Sequence, residues 1–185
     1  MRKAVTEILY DSYQHNVAAL KMSIKSKNII WHDSSISKKE RERRNGHKGV
    51  CVWLTGLPCS GKSTVAVELQ AALFKAGCNV FILDGDNIRH GLNKDLGFSP
   101  DDRTENIRRV AEVAKLFTES GAIVITAFIS PYRKDRDNAR SIFPKDDFIE
   151  IFVKASLRAC EKREMKGLYK NARSGEIKEF TGISS

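Results

Sequence analysis

A glycine-bounded turn that ends in a lysine and a hydroxyl is chemistry for phosphate. Gly56-Leu57-Pro58-Cys59-Ser60-Gly61-Lys62-Ser63 is such a turn; it follows the apolar run Val50 to Leu54 and leads into a helix-like stretch that begins at Thr64. The G-x-x-x-x-G-K-[ST] spacing in a strand-to-helix setting marks a phosphate loop and predicts a bound nucleoside triphosphate. Glycines at both ends let the backbone wrap a phosphate, and the helix N-terminus adds unpaired N–H donors and the positive end of its dipole. Lys62 would reach the β- and γ-phosphates, and the Ser63 hydroxyl would hold Mg²⁺.

A second constellation, Asp84-Gly85-Asp86-Asn87-Ile88-Arg89-His90-Gly91, begins where the apolar run Val80 to Leu83 ends. In open α/β sheets ligands gather at the carboxyl ends of strands, so these carboxylates and Arg89 would face the phosphate loop. One carboxylate could organise water on Mg²⁺ and the other accept a proton from an attacking hydroxyl. The same residues also suit a plain Asp/Gly turn. Ser130, in Ile129-Ser130-Pro131-Tyr132-Arg133, could touch substrate, accept phosphate, or simply make a turn. Lys166-Gly167-Leu168-Tyr169-Lys170-Asn171-Ala172-Arg173, with Gly175, Phe180 and Gly182 beyond, reads as a mobile lid that closes over phosphates, or as a basic helix.

The elements that must position these groups have a regular rhythm. Short β-rich runs at Val50 to Leu54, Val80 to Leu83, Ile123 to Ile129 and Phe148 to Val153 alternate with helical periodicities, which predicts parallel strands joined by helical crossovers. The clearest helix spans Ser99 to Ser120. Ser99 caps it, Pro100 suits its first position, Asp101 and Asp102 complement its dipole, and Gly121 stops it. Ile107, Val110, Ala111, Ala114 and Phe117 share one face; Arg103 and Asn106 share another, which reads either as solvated or as functional.

Residues 1–49 carry polar clusters and the run Lys38-Lys39-Glu40-Arg41-Glu42-Arg43-Arg44, and read as a basic N-terminal arm with one or two short helices ahead of a domain over 50–185. A chain of 185 residues suits one domain with an appendage. The four cysteines have no metal-ligand or disulfide-framework spacing, which fits a reducing, cytoplasmic setting. No apolar run is long enough for a membrane span. The net charge of +9 lies partly in two local runs, and no recognition motif accompanies it, so neither nucleic acid nor membrane is the expected partner.

Taken in order, Asp84-Gly85-Asp86-Asn87-Ile88-Arg89-His90-Gly91-Leu92-Asn93, Gly97-Phe98-Ser99, Asp102-Arg103-Thr104-Glu105-Asn106-Ile107-Arg108-Arg109, Phe128-Ile129-Ser130-Pro131-Tyr132-Arg133 and Lys166-Gly167-Leu168-Tyr169 resemble the adenylyl-sulfate kinase family from about Asn28 to Ser185. The resemblance implies ATP and Mg²⁺ as cofactors, and transfer of phosphoryl to the 3′-hydroxyl of adenosine 5′-phosphosulfate. It also implies a homodimer, with sulfate adenylyltransferase as a partner. Its fold would be a P-loop NTPase-type, three-layer parallel sheet flanked by helices, in the strand order 2-3-1-4, with a C-terminal lid.

The resemblance assigns Asp86 as base or metal-organising carboxylate, with Asp84 supporting Mg²⁺, and leaves their division open. Arg89, Arg103 and Asn106 would hold the phosphosulfate and ribose, and Ile129 and Ser130 would adjoin the acceptor. Phe98 and Phe180 would sandwich the acceptor's adenine. Lys166 would contact the acceptor's anionic end or the transferred phosphoryl, Arg163 would pack against the ATP adenine, and Ser130 matches a serine implicated as a phosphoserine intermediate. Pro58-Cys59 replaces the family's more usual Ser-Gly, and Glu164-Met165 its Asp-Pro. The family continues past the position of Ser185 with a final strand and helix, so the expected sheet here has four strands. A different small-molecule kinase, a nucleotide-binding fragment and a basic nucleic-acid binder are the alternative readings.

Overall fold

A computed structural model describes residues 28–184. The sequence reading of residues 1–27 lies outside the described residues. The chain divides into two units, 1–35 and 36–185, and the elements described below belong to the second. They are α1 (Lys38–Asn45), β1 (Cys51–Thr55), α2 (Lys62–Lys75), β2 (Val80–Asp84), α3 (Gly85–Arg89), α4 (Pro100–Glu119), β3 (Ile123–Ala127), α5 (Arg133–Ser141), β4 (Phe148–Phe152), α6 (Leu157–Arg163) and α7 (Leu168–Arg173).

The strands form a parallel sheet in the order β2-β3-β1-β4. β1 and β3 are central and buried along their whole length, as expected of strands covered on both faces. Side chains alternate across the sheet. Trp53 and Val124 join Ile107, Val110, Ala111 and Ala114 of α4 on one side; Val52, Leu54 and Ile125 meet Ala66, Leu69 and Leu73 of α2 on the other. Helix, sheet and helix make the three layers. Four of the five apolar residues predicted for the α4 core face are buried, and Phe117 packs at its margin, stacked on Phe81.

β3 stops at Ala127 rather than Ile129, because its neighbours run out at that level: Ala127 pairs with Leu54 and with Asp84, the last residue of β2, and beyond it Ser130 has φ +38°. α1, read from the sequence within a basic arm, is tied to the sheet-bearing unit. Ser37 and Glu40 form a reciprocal capping box, Lys38 meets Asp147 at 2.6 Å, and Asn45 donates to the Gly121 carbonyl at 2.9 Å. Gly49 packs so closely that a Cβ would lie 2.4 Å from the Thr118 carbonyl oxygen.

On α4, Glu105 accepts from Arg108 at 2.7 Å and from Arg109 at 2.8 Å, and these bonds hold its carboxyl down to about 2. A depressed acid stabilises the fold above its unfolded value and loses that contribution as pH falls through the folded one. Glu105→Gln is therefore expected to lower the urea midpoint at pH 7, with the difference from the parent shrinking between about pH 4.5 and pH 2. A pH-independent difference would assign the effect to packing.

Candidate active site

The strand-to-helix turn after β1 is shaped by positive φ. Gly56 has φ +148°, and a Cβ there would sit 2.7 Å from the Val153 carbonyl oxygen; Cys59 and Gly61 follow at +57° and +102°. Left-handed residues alternating with ordinary ones turn successive N–H groups toward one concavity, the geometry of an anion nest. Gly61 is the N-cap of α2 and brings no side-chain hydrogen bond, so the N–H groups of the first turn lack a side-chain cap and are free to meet phosphate.

Lys62 stands at the head of α2, 8% exposed, with Nζ donating to the carbonyls of Gly56 at 3.0 Å and Leu57 at 2.7 Å. Burial pulls its pKa down to about 8. The charge is thus incompletely compensated in the unliganded protein, and an anion beside it would favour it. Cys59 is exposed, and burial raises its thiol pKa, so it is no ready nucleophile. Ser60 is buried, and its Oγ has no partner among the described residues. Arg163 reaches the Ser60 carbonyl at 3.5 Å, beside the loop.

Asp84 ends β2 with both oxygens engaged. Oδ2 accepts from Ser63 Oγ at 2.7 Å, and Oδ1 accepts from the Asp86 N–H at 3.0 Å, capping α3. Two hard oxygen ligands, hydroxyl and carboxylate, are therefore in contact beside the phosphate nest, which fits Mg²⁺, an ion that keeps several waters and takes few protein ligands. Asp86 projects outward, and its carboxylate meets Lys166 Nζ of the lid at 3.4 Å, both side chains mostly exposed. Glu164 accepts from the Lys166 N–H, so the residue that replaces the family's usual Asp helps shape the entry to the lid.

The expected acceptor residues cluster around the start of α4. Arg89 donates to the carbonyls of Leu96 and Gly97 and lies 4.3 Å above the ring of Phe98, which is 69% exposed. Arg103 donates to the Phe98 carbonyl, to Thr181 Oγ1 and to the Glu179 carbonyl, joining α4 to the C-terminal segment. Asn106 is buried, so the solvated-face reading fails for it.

Two residues sit otherwise than the sequence suggests. Phe180, expected with Phe98 to sandwich the acceptor's adenine, is buried and packs edge-on against Tyr169 at 4.9 Å, within a cluster with Cys160 and Ala172. Ser130 is 2% exposed. Its Oγ accepts from Trp53 Nε1 at 3.1 Å and donates to Thr55 Oγ1 at 2.9 Å, and Thr55 in turn donates to the Ile129 carbonyl at 2.8 Å. Its hydroxyl belongs to a buried chain behind the Ile129–Ser130 backbone. A cavity of about 400 Å³ opens there, lined by Gly56, Leu57, Ser130, Tyr132, Thr181 and Gly182.

Sequence reasoning gave no site role to Trp53 or Thr55, and none to Tyr169 beyond its place in a motif. The last donates its hydroxyl to the Pro58 carbonyl at 2.9 Å and so fastens the lid to the phosphate loop. Among the described residues no helix is long and apolar enough to cross a membrane, and no group of three His, Cys, Asp or Glu side chains could hold a metal by itself.

Residues 48–185 match the family model described as adenylylsulphate kinase. Over 160 residues the chain is 62% identical to the adenylyl-sulfate kinase of Staphylococcus haemolyticus, covering 86% of this chain and 80% of that protein. Against the Acaryochloris marina adenylyl-sulfate kinase the identity is 58% over 164 residues, covering 89% and 80%. Among solved structures it is similar to the Mycobacterium tuberculosis APS kinase CysC in complex with AMPPNP and APS. That match has a TM-score of 0.70 and 48% identity, and covers 75% of this chain and 81% of that one.

Proposed function

This chain belongs to the adenylyl-sulfate kinase family, and we propose that it transfers the γ-phosphoryl of ATP to the 3′-hydroxyl of adenosine 5′-phosphosulfate, giving 3′-phosphoadenosine 5′-phosphosulfate and ADP. The observation that carries this reading is the meeting of three parts at one cleft: the phosphate nest with buried Lys62, the Ser63–Asp84 oxygen pair, and the exposed Asp86 carboxylate facing Lys166. The solved relative bound to AMPPNP and APS supports the choice of both substrates. ATP and Mg²⁺ are the cofactors of the proposed reaction. A homodimer and a functional link to sulfate adenylyltransferase belong to the same reading and rest on the family.

The residues divide the work by what already binds them. Lys62 leaves the loop carbonyls and turns to the β/γ-phosphates, where its charge is best matched. Ser63 and Asp84 would hold Mg²⁺, which supplies charge neutralisation across the phosphates. Asp86, whose carboxylate meets only the exposed Lys166, would accept the proton of the 3′-hydroxyl as phosphoryl transfer begins. Lys166 pairs with Asp86 across the cleft, and lid closure over substrate would bring its charge to the transferred group while excluding water. Arg89 and Arg103 supply cations for the phosphosulfate, with Asn106 beside them, Phe98 stacks on the base, and Arg163 lies at the ATP side. Catalysis is then mostly positioning and charge neutralisation.

Ser130 takes a supporting part in this mechanism. With its hydroxyl between Trp53 and Thr55, it holds the backbone that borders the acceptor. Ser130→Ala is expected to retain activity within about tenfold of the parent, and to lose about 1–3 kcal/mol of stability from the orphaned Trp53 N–H. No acid-stable phosphoserine should form with labelled ATP. A stoichiometric phosphoserine whose loss abolishes turnover would establish a covalent route instead. The reading as a whole is tested by ADP release with adenosine 5′-phosphosulfate, shikimate, gluconate and nucleosides as rival acceptors; only the first should support rapid release.

A further inference from the structure

Asn93 lies in the turn between α3 and α4 and is fully buried. Its Nδ2 donates to Asn106 Oδ1 at 3.0 Å, and its own Oδ1 has no hydrogen-bond partner among the described residues. An unpaired buried polar atom is unfavourable, so the single bond to Asn106 is what the buried amide of Asn93 contributes here. In the observed orientation Asn93 is the donor and Asn106 the acceptor of the one bond that joins the two amides.

The consequence falls on Asn106. With its oxygen taken by Asn93, the group left to it is Nδ2, which donates to no other described residue. Asn106 stands one turn along α4 from Arg103. The turn that carries Asn93 is itself anchored. Arg109 bonds Asp95 at 2.7 and 2.9 Å and the Leu92 carbonyl at 3.3 Å, the Asn93 N–H reaches the Ile88 carbonyl at 3.1 Å, and Arg89 bonds the Leu96 carbonyl at 2.9 Å.

We infer that Asn93 is a positioning residue for acceptor recognition: it fixes the Asn106 amide so that its NH₂ presents donors to an oxygen of the acceptor nucleotide. The inference rests on the proposed reading that Asn106 faces the acceptor. Without that bond the Asn106 amide can turn its oxygen toward the acceptor, a repulsive contact where a donor is needed.

The test compares Asn93→Leu, Asn106→Leu and the double variant by kcat, by KM for each substrate, and by thermal melting. Asn93→Leu is expected to raise KM for adenosine 5′-phosphosulfate about three- to tenfold, the scale of one hydrogen bond. KM for ATP should stay at the parental value; the melting temperature should fall modestly, because the buried Asn106 Oδ1 loses its donor, and should recover in the double variant, where both partners are apolar. In acceptor KM the double variant should match Asn106→Leu alone, since Asn93 acts through that residue. Parental acceptor KM in Asn93→Leu beside a raised one in Asn106→Leu overturns this inference alone. Parental KM in Asn106→Leu overturns it together with the reading on which it rests. A rise in both KM values would mark Asn93 as structural and also overturn it. If Asn93→Leu does not fold, Asn93→Ala is judged by the same comparisons.

Discussion

Lys62→Ala is expected to lower turnover by about 10²- to 10³-fold or more, the usual effect of removing a charge aimed at the reacting centre, while leaving the fold intact. The second half of that expectation follows from the geometry. Burial that draws the ammonium pKa from 10.5 to about 8 disfavours the charge by roughly 3 kcal/mol in the unliganded protein. Its bonds to the Gly56 and Leu57 carbonyls replace only part of the lost hydration, since the pKa still falls. Deleting the charge with its bonds should leave the melting temperature at or above the parent's, so lost activity reports on phosphate and not on folding. Turnover at the parental rate would remove the loop from the mechanism.

Asp86→Asn keeps the side chain's shape and removes its capacity to accept a proton. A lost general base lowers the rate by about 10²- to 10⁴-fold, and kcat should carry the loss while ATP affinity changes far less. Asp84→Asn should behave differently. It weakens the oxygen pair with Ser63, and its defect should show as a raised requirement for Mg²⁺. Rate measurements across a Mg²⁺ titration separate the two. Parental kcat in Asp86→Asn, with the loss appearing in Asp84→Asn, would exchange their roles.

Much of this was legible in the sequence because the signals are local. The apolar runs mark all four strands of the described sheet to within two residues, and Ser99, Pro100 and the Ile107/Val110/Ala111/Ala114 face define α4 closely. The phosphate loop and Asp84-Gly85-Asp86 are short motifs whose spacing carries their geometry. What the sequence does not disclose depends on contacts between distant segments. Nothing near Ser130 shows that Trp53, on another strand, will take its hydroxyl inward. Phe180 reads as a free aromatic until Tyr169 and Ala172 are seen to bury it. Tyr169 reaching Pro58, and Arg103 reaching Glu179 and Thr181, likewise arise only once the lid is packed. The end of β3 belongs with these, since the apolar run through Ile129 does not show that its neighbour β2 gives way to α3 after Asp84, the partner of Ala127.

The central claim is where the phosphoryl group goes. γ-Labelled ATP and Mg²⁺ should be incubated with the protein and either adenosine 5′-phosphosulfate or its 3′-deoxy analogue, and the labelled product identified by chromatography and phosphorus NMR. The account predicts label on the 3′-oxygen of adenosine 5′-phosphosulfate with stoichiometric ADP, and no transfer to the analogue that lacks that oxygen. Equal label transfer to the 3′-deoxy analogue, or label passing to gluconate or a nucleoside but not to adenosine 5′-phosphosulfate, would contradict it.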